Sequence, residues 1–453
     1  MRIDPKRWVC KAASAIAYAT ILLKLLPNSL MTYPLTYYAG SADFLPQQER
    51  LMESIDTDVC VVGGGIAGCS AALHLAERGL KVVLLEGERI GWGASGRSGG
   101  QALVGYACDQ RRLALQVGPT AARAMWDISV EALELLKERV ARHNIDCALQ
   151  LGHLHAAIRP RHRASLMRWH DELVASYGYR TTRFIDRDEI RGLLATDRYI
   201  AGVLDTASAH LHPLNYTLGL ARAAQRAGVR IFESSPALRL RQGPIAVTCT
   251  QNGRINSRYV ILCCNAYLNG LCPRIGSHIM PVETYIIATE PLGPVGAAEL
   301  IKGNIAVADV NFVLDYFRLS ADHRLLFGGR VAYSGMEFRD TAKATRKRML
   351  QVFPQLANTK IDYAWGGYVD ITMSRAPDFG RAAANVYYLQ GFSGHGVALA
   401  GMAGKLAAEA ISGQAERFDL YAQLKHAPFF GGRWLRTPAL MLAMLWYRLR
   451  DLL

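Results

Sequence analysis

The chain has 453 residues, 51% of them hydrophobic and 20% charged, which excludes a disordered polypeptide and allows two or three domains or one large discontinuous one. The formal net charge of +14 raises nucleic acid, a membrane surface or acidic ligands as partners. That charge is concentrated at the ends, where residues 1–30 and 421–453 carry +4 each. Nine cysteines with no C-x-x-C pair, several in apolar runs, exclude a zinc or disulfide framework and read as reduced thiols in a cytoplasmic protein.

Residues 12–23 form an uncharged run bounded by Lys11 and Lys24, shorter than the roughly 20 residues that span a bilayer. Residues 1–30 are therefore expected to be a dispensable extension. Weak membrane association through them is the alternative, and Met31 could serve as the start.

Residues 56–86 carry the strongest pattern. An apolar strand at 59–62 leads into Gly63, Gly65 and Gly68 in G-x-G-x-x-G spacing, then a helix opening at Ile66 and Ala67. A second strand, 81–85, ends on Glu86. This is the arrangement that places a pyrophosphate on a helix N-terminus and a ribose against a carboxylate. A second glycine-rich stretch follows at 89–101, in which Ser95, Arg97 and Ser98 offer hydrogen-bond donors.

Further along, 119–143 reads as an amphipathic helix and 152–158 as a strand carrying His153 and His155 on one face. Those two histidines are expected to be a surface pair rather than metal ligands. Asp186 and Glu189 have capping-box spacing. His210 and His212 fit either active-site work or backbone hydrogen bonding in a turn, the latter slightly favoured. Strands are expected at 230–233, 237–241, 246–250 and 255–263, the last returning to the nucleotide sheet. Residues 278–335 alternate as an antiparallel sheet, and a helix at 337–352 closes it. Residues 365–380 and 387–413 are expected to rejoin the first domain. There Gly391, Gly394, His395, Gly396 and Val397 lead into a helix whose N-terminus can face negative charge. An apolar tail helix is expected at 440–449.

On the stretches TDVCVVGGGIAG, GWGASGRSGGQ, HLHPLN, LDYFRLSADHRLLFGG and GFSGHG, the chain resembles the FAD-dependent amine and amino-acid oxidoreductases of the D-amino-acid oxidase/glycine oxidase superfamily. The resemblance implies an α/β fold, with a discontinuous Rossmann-like FAD-binding domain and an antiparallel-sheet substrate domain. The expected division is an extension at 1–35, FAD-binding parts at 36–110, 210–277 and 359–415, a mostly helical and substrate-domain segment at 111–209, an antiparallel substrate domain at 278–358, and a tail at 416–453. It also implies FAD contacts at Gly63, Gly65, Ile66, Ala67, Gly68, Glu86, Gly93, Ala94, Ser95, Gly96, Arg97, Ser98, Gly99, Gly100, Gln101, Ala237, Asn265, Gly391, Gly394, His395, Gly396 and Val397.

By the same resemblance the substrate is a small-molecule amine, oxidised to an imine that water hydrolyses, with oxygen as the expected electron acceptor. Because the cofactor carries the hard step, no catalytic residue is singled out. Substrate contacts are expected at Gln101, Tyr316, Arg318, Arg330 and Trp365. Residues 89–101 contain no histidine or cysteine, so FAD is expected to be bound non-covalently. In amino-acid-oxidising relatives an arginine two residues after a W-x-G turn clamps the substrate carboxylate; the matching position here is Val369. The resemblance therefore points to a simple primary amine. Competing readings are another amine or amino-acid oxidase of the superfamily, or a flavin-dependent RNA-modifying enzyme. The end-clustered charge weighs against nucleic acid.

Overall fold

The first strand, Ser54–Val62, is buried along its last four residues, as a strand covered on both faces must be. It sits at the centre of a sheet ordered Asp378–Ala383, Val386–Gln390, Arg254–Leu262, Ser54–Val62, Val82–Leu85, Arg230–Phe232. Every neighbouring pair is parallel except the outermost, Asp378–Ala383 with Val386–Gln390. Three distant parts of the sequence thus meet in one sheet. The hairpin Arg239–Arg241 and Ala246–Cys249 hangs from strand Arg254–Leu262.

Helices Ile66–Ala76, Pro213–Arg226 and Gly396–Ile411 pack together beside this sheet. Their close approach depends on small residues. A Cβ at Gly404 would lie 2.6 Å from the Ala67 carbonyl oxygen, and the Ser70 hydroxyl donates to the Gly401 carbonyl at 2.6 Å.

The second sheet has nine strands, eight of them in the order Ile361–Thr372, Ile279–Thr289, Leu325–Ala332, Tyr316–Leu319, Ala306–Asp309, Gln150–Ala157, Ala201–His210, Gln101–Ala102. Thr182–Asp186 pairs with Ala201–His210 as well. All pairings are antiparallel but one, Ala306–Asp309 with Gln150–Ala157. One face holds the larger core, where Leu154 and Tyr199 join Phe317, Phe327 and Phe353.

The computed structural model describes residues 33–268, 270–311, 314–332 and 338–429. The described residues from 35 onward belong to one compact unit. The expectations for 1–30 and for a tail helix at 440–449 lie outside the described residues. Among the described residues no helix is long and apolar enough to cross a membrane, and no group of histidine, cysteine and acidic side chains could hold a metal ion. The eight cysteines among them are free.

The stretch 111–209 holds four helices and contributes three strands to the second sheet; Gln150–Ala157 falls where a strand was expected, whereas the small and polar residues of the ten-residue Ala201–His210 mask its alternation. Two expectations are corrected. Ile361–Thr372, expected in the first domain, is the edge strand of the second sheet; the chain rejoins the first only at Asp378. His153 is fully buried rather than at the surface, because the face opposite Leu154 is also covered. Its ring lies 4.4 Å from that of His155.

Candidate functional site

The first glycine turn is fixed by contacts that no side chain could share. Gly63 has φ +109°, and a Cβ there would lie 2.5 Å from the Cys263 carbonyl oxygen. At Gly68 it would lie 1.9 Å from the Gly63 carbonyl oxygen, so only glycine lets the helix sit this close to the strand. Gly65 caps helix Ile66–Ala76 without a side chain, and the Ile66 N–H donates to Ser95 Oγ at 3.0 Å. That bond ties the second glycine stretch to the first.

Glu86 stands at the end of the neighbouring strand. Its two carboxylate oxygens accept the N–H groups of Gly64 at 2.6 Å and Glu88 at 2.9 Å. Burial outweighs those bonds and pushes its pKa up to about 7, with nearby Glu233 adding to the shift. Ala237 follows Pro236, which packs near Gly87, and contributes to the core of the nucleotide sheet. Asn265, at φ +50°, begins the turn after strand Arg254–Leu262; its Oδ1 is buried with no hydrogen-bond partner.

The second glycine stretch is held from several sides. The Arg97 guanidinium lies 4.3 Å from the Trp92 ring and donates to the Tyr267 hydroxyl at 3.0 Å. The Trp365 indole donates to the Arg97 carbonyl at 3.0 Å. A Cβ on Gly93 would touch Tyr267, on Gly96 it would meet the Gly91 carbonyl oxygen at 2.1 Å, and on Gly99 it would meet Tyr316 at 2.6 Å. Ala94–Gly96 is a single 3₁₀ turn, and the Ser98 hydroxyl accepts the Gly100 N–H at 3.4 Å.

The third turn hangs on Asp370, whose carboxylate accepts the Gly391 N–H and whose carbonyl accepts the Ser393 N–H at 3.0 Å. Burial raises the Asp370 pKa to about 7. Gly394 at φ +92° then turns the chain into His395, the N-cap of helix Gly396–Ile411, which offers no side-chain cap. Val397 is buried in its first turn.

Two helix N-termini without side-chain caps, an orphaned amide oxygen and a buried carboxylate acceptor form a donor and acceptor set that fits a dinucleotide. The comparisons agree. The model of the FAD dependent oxidoreductase family matches residues 58–410. The chain belongs to this family. It is 43% identical over 417 residues to gamma-glutamylputrescine oxidoreductase of Escherichia coli K12, covering 92% of this chain and 98% of that protein. It is 41% identical to the probable oxidoreductase OrdL of Haemophilus influenzae, covering 92% of this chain and 97% of the relative. Glycine oxidase from Geobacillus kaustophilus has the same fold, with a TM-score of 0.69 at 19% identity over 82% of this chain and 100% of that one. This family member is therefore an FAD-dependent oxidoreductase of the amine and amino-acid type, and the α/β fold with its two sheets is the family's.

Of the five residues expected at the substrate, the four whose side chains are described do not converge on one cavity. Arg318 is 4% exposed and donates to the carbonyls of Gly99 at 2.7 Å, Leu319 at 2.9 Å and Leu211 at 2.8 Å, and to the Tyr38 hydroxyl at 2.9 Å. It pins the second glycine stretch and is not free to hold a substrate carboxylate. Trp365 is 3% exposed and packs at 5.4 Å from Tyr38, a core residue rather than a channel wall. Tyr316 packs between Gly99 and Gly328. Gln101 donates to the carbonyls of Val307 and Phe317, and its Oε1 meets His153 Nε2 at 3.3 Å. The side chain of Arg330 lies outside the described residues.

His210 and His212 serve the backbone, as the slightly favoured reading had it. His210 Nε2 donates to the Asn304 carbonyl at 2.6 Å, and His212 Nδ1 accepts the Asn215 N–H at 3.0 Å.

A cavity of about 670 Å³ opens instead between the segment following Gln101, one face of helix Pro160–Tyr177, and His395. His155 and His395 line it, each with a pKa lowered to about 4 by burial and so neutral at pH 7. Trp169 stands 4.9 Å from His155, and Trp126 packs 4.9 Å from Tyr177. A slightly larger surface cleft of about 770 Å³ near Arg191 and Gln355 touches none of the glycine turns. Of the cavity residues, His395 was expected at the cofactor and His155 in a surface pair, whereas those of helix Pro160–Tyr177 were missed in the sequence. Their signal was the helical spacing of Ser165, Trp169, Glu172 and Leu173, which looks like any half-buried helix face.

Proposed function

We propose that the protein oxidises the terminal primary amine of gamma-glutamylputrescine to the imine, which water converts to gamma-glutamyl-gamma-aminobutyraldehyde and ammonia. The observation that carries this reading is the 43% identity to the Escherichia coli enzyme across nearly the whole of both chains. When bound, FAD accepts the hydride from the carbon bearing the amine. Gly63, Gly65 and Gly68, with the N-terminus of helix Ile66–Ala76, hold its pyrophosphate, and Glu86 accepts from ribose hydroxyls. The uncapped N-terminus of helix Gly396–Ile411 would stabilise the negative charge that accumulates on the flavin ring on reduction.

The substrate lies in the 670 Å³ cavity with its amine beside His155 and His395. Burial there disfavours an ammonium, so the neutral amine, the form able to lose hydride, is favoured. Val369, at the position where the resemblance puts the carboxylate-clamping arginine of amino-acid oxidases, pairs with Val282 in the second sheet and offers no cation. Oxygen is the proposed electron acceptor and the cytoplasm the proposed location.

FAD is held without a covalent bond. Cys264 beside the first turn has its pKa raised to about 12 by burial, which leaves no thiolate at neutral pH. Acid precipitation should release all flavin to the supernatant; flavin in the pellet would overturn this point. Anaerobic mixing tests the substrate. Gamma-glutamylputrescine should bleach the flavin rapidly, free putrescine slowly, and glycine, sarcosine and D-alanine hardly at all. Efficient bleaching by glycine or D-alanine would defeat the reading.

A further inference from the structure

We propose that the outer end of the 670 Å³ cavity recognises the amino-acid zwitterion at the far end of the substrate, Arg111 taking its carboxylate and Glu172 its ammonium. The inference rests on the functional reading above and adds what selects the substrate.

The cavity is graded in polarity. Its inner end is made of the half-buried, neutral His155 and His395, its middle of Trp169 and other aromatic side chains, and its outer end of exposed Arg111 and Arg168 with half-buried Glu172. A tetramethylene chain suits the aromatic middle, and its volume is in the range of about 300–1,000 Å³ typical of small-molecule sites. Arg168, Trp169 and Glu172 lie on one face of helix Pro160–Tyr177, so charged and aromatic groups are presented together.

The charges at the outer end are already opposed. Arg111 Nε and Nη2 donate to the two Glu172 oxygens at 3.4 and 3.1 Å. Arg111 is 71% exposed, so this pair contributes little to stability and can be opened without harm to the fold. A zwitterionic head inserted between them replaces one ion pair by two, each charge-assisted and hydrogen-bonded. Arg168, whose Nη2 donates to Ser165 Oγ at 3.3 Å, adds a second cation to the same lining. Free putrescine presents only an ammonium there, which Glu172 attracts and the two arginines repel. Of the two arginines anticipated for the far end of the substrate, Arg318 is fully engaged with backbone carbonyls and the Tyr38 hydroxyl, and the side chain of Arg330 lies outside the described residues.

Steady-state kinetics of the holoenzyme with two amines tests the assignment. One is gamma-glutamylputrescine; the other is N-acetylputrescine, which keeps the chain and the reacting amine but has no distal charge. Glu172→Gln and Arg111→Gln should each raise KM for gamma-glutamylputrescine about tenfold with little change in kcat, and raise KM for N-acetylputrescine by less than about twofold. Arg168→Gln should act in the same direction more weakly. Equal KM changes for both amines, or none for the glutamylated one, would overturn the assignment while leaving the functional reading intact. No oxidation of gamma-glutamylputrescine by the unaltered enzyme would overturn both.

Discussion

The glycine cradle and the cavity wall are built by opposite means. In the cradle the backbone does the work, and Gly63, Gly68, Gly96 and Gly100 are where they are because a Cβ would strike a carbonyl oxygen within 2.5 Å. In the cavity wall side chains do the work. His155 comes from strand Gln150–Ala157, Trp169 and Glu172 from helix Pro160–Tyr177 and His395 from the cap of helix Gly396–Ile411, and their side chains line the space. The cradle is thus intolerant and general, a device for holding a dinucleotide. The wall is specific, the part through which members of one family can choose different amines.

This contrast should show first in Gly68→Ala. The added methyl would meet backbone on a strand-to-helix turn with no room to move, and overpacking of this kind costs about 3 kcal/mol or more. The expected outcome is protein that is poorly soluble or colourless, with FAD content below about a tenth of normal. A variant that purifies yellow and active would mean the first turn is looser than its contacts indicate.

Arg318→Met comes next in size. It would leave the carbonyls of Gly99, Leu211 and Leu319 without their charged donor, a loss of about 3 kcal/mol measurable by denaturant unfolding. Because Arg318 acts by holding the second glycine stretch, FAD retention should weaken and kcat should fall alike for every amine. A selective rise in KM for the glutamylated amine alone would show that Arg318 touches substrate after all.

These two residues also mark how far the sequence could be read. The constraint on Gly68 is local, five residues from the carbonyl it avoids, so the G-x-G-x-x-G spacing carries it in full. Glu86 likewise followed from its place at the end of the second strand. Arg318 bonds to a carbonyl 219 residues away, and nothing in LDYFRL says whether it faces solvent, substrate or backbone. The same limit applied to His153. Alternation placed it opposite Leu154, but not that both faces of the sheet would be covered. Strand Ala201–His210 went unseen because its apolar residues are mostly alanine. Local backbone chemistry was legible, whereas long-range side-chain pairing was not.

The smallest effect separates the two regions by pH. Glu86 has a folded-state pKa raised to about 7 by burial, against about 4.3 for an unperturbed glutamate. Between those values the native apoprotein binds a proton that the unfolded chain has lost, so the stability contributed by this group declines as pH rises from about 4.3 to about 7, and is level above it. Ribose hydroxyls donate to the ionised form, so binding of FAD should tighten across the same region. With the group mostly ionised at pH 8 and mostly protonated at pH 6, the Kd for FAD should be as much as about tenfold weaker at pH 6. Asp370, also raised to about 7, titrates in the same range, so the unaltered protein alone cannot assign the effect. Glu86→Gln isolates it. The glutamine amide would set an N–H against one of the N–H groups of Gly64 and Glu88, weakening FAD binding at every pH and removing the Glu86 part of the slope. Cavity variants such as Glu172→Gln should keep that slope unchanged. If Glu86→Gln kept the full pH dependence of Kd, the titrating group would be Asp370, and the third turn rather than the ribose acceptor would set how tightly the cofactor is held.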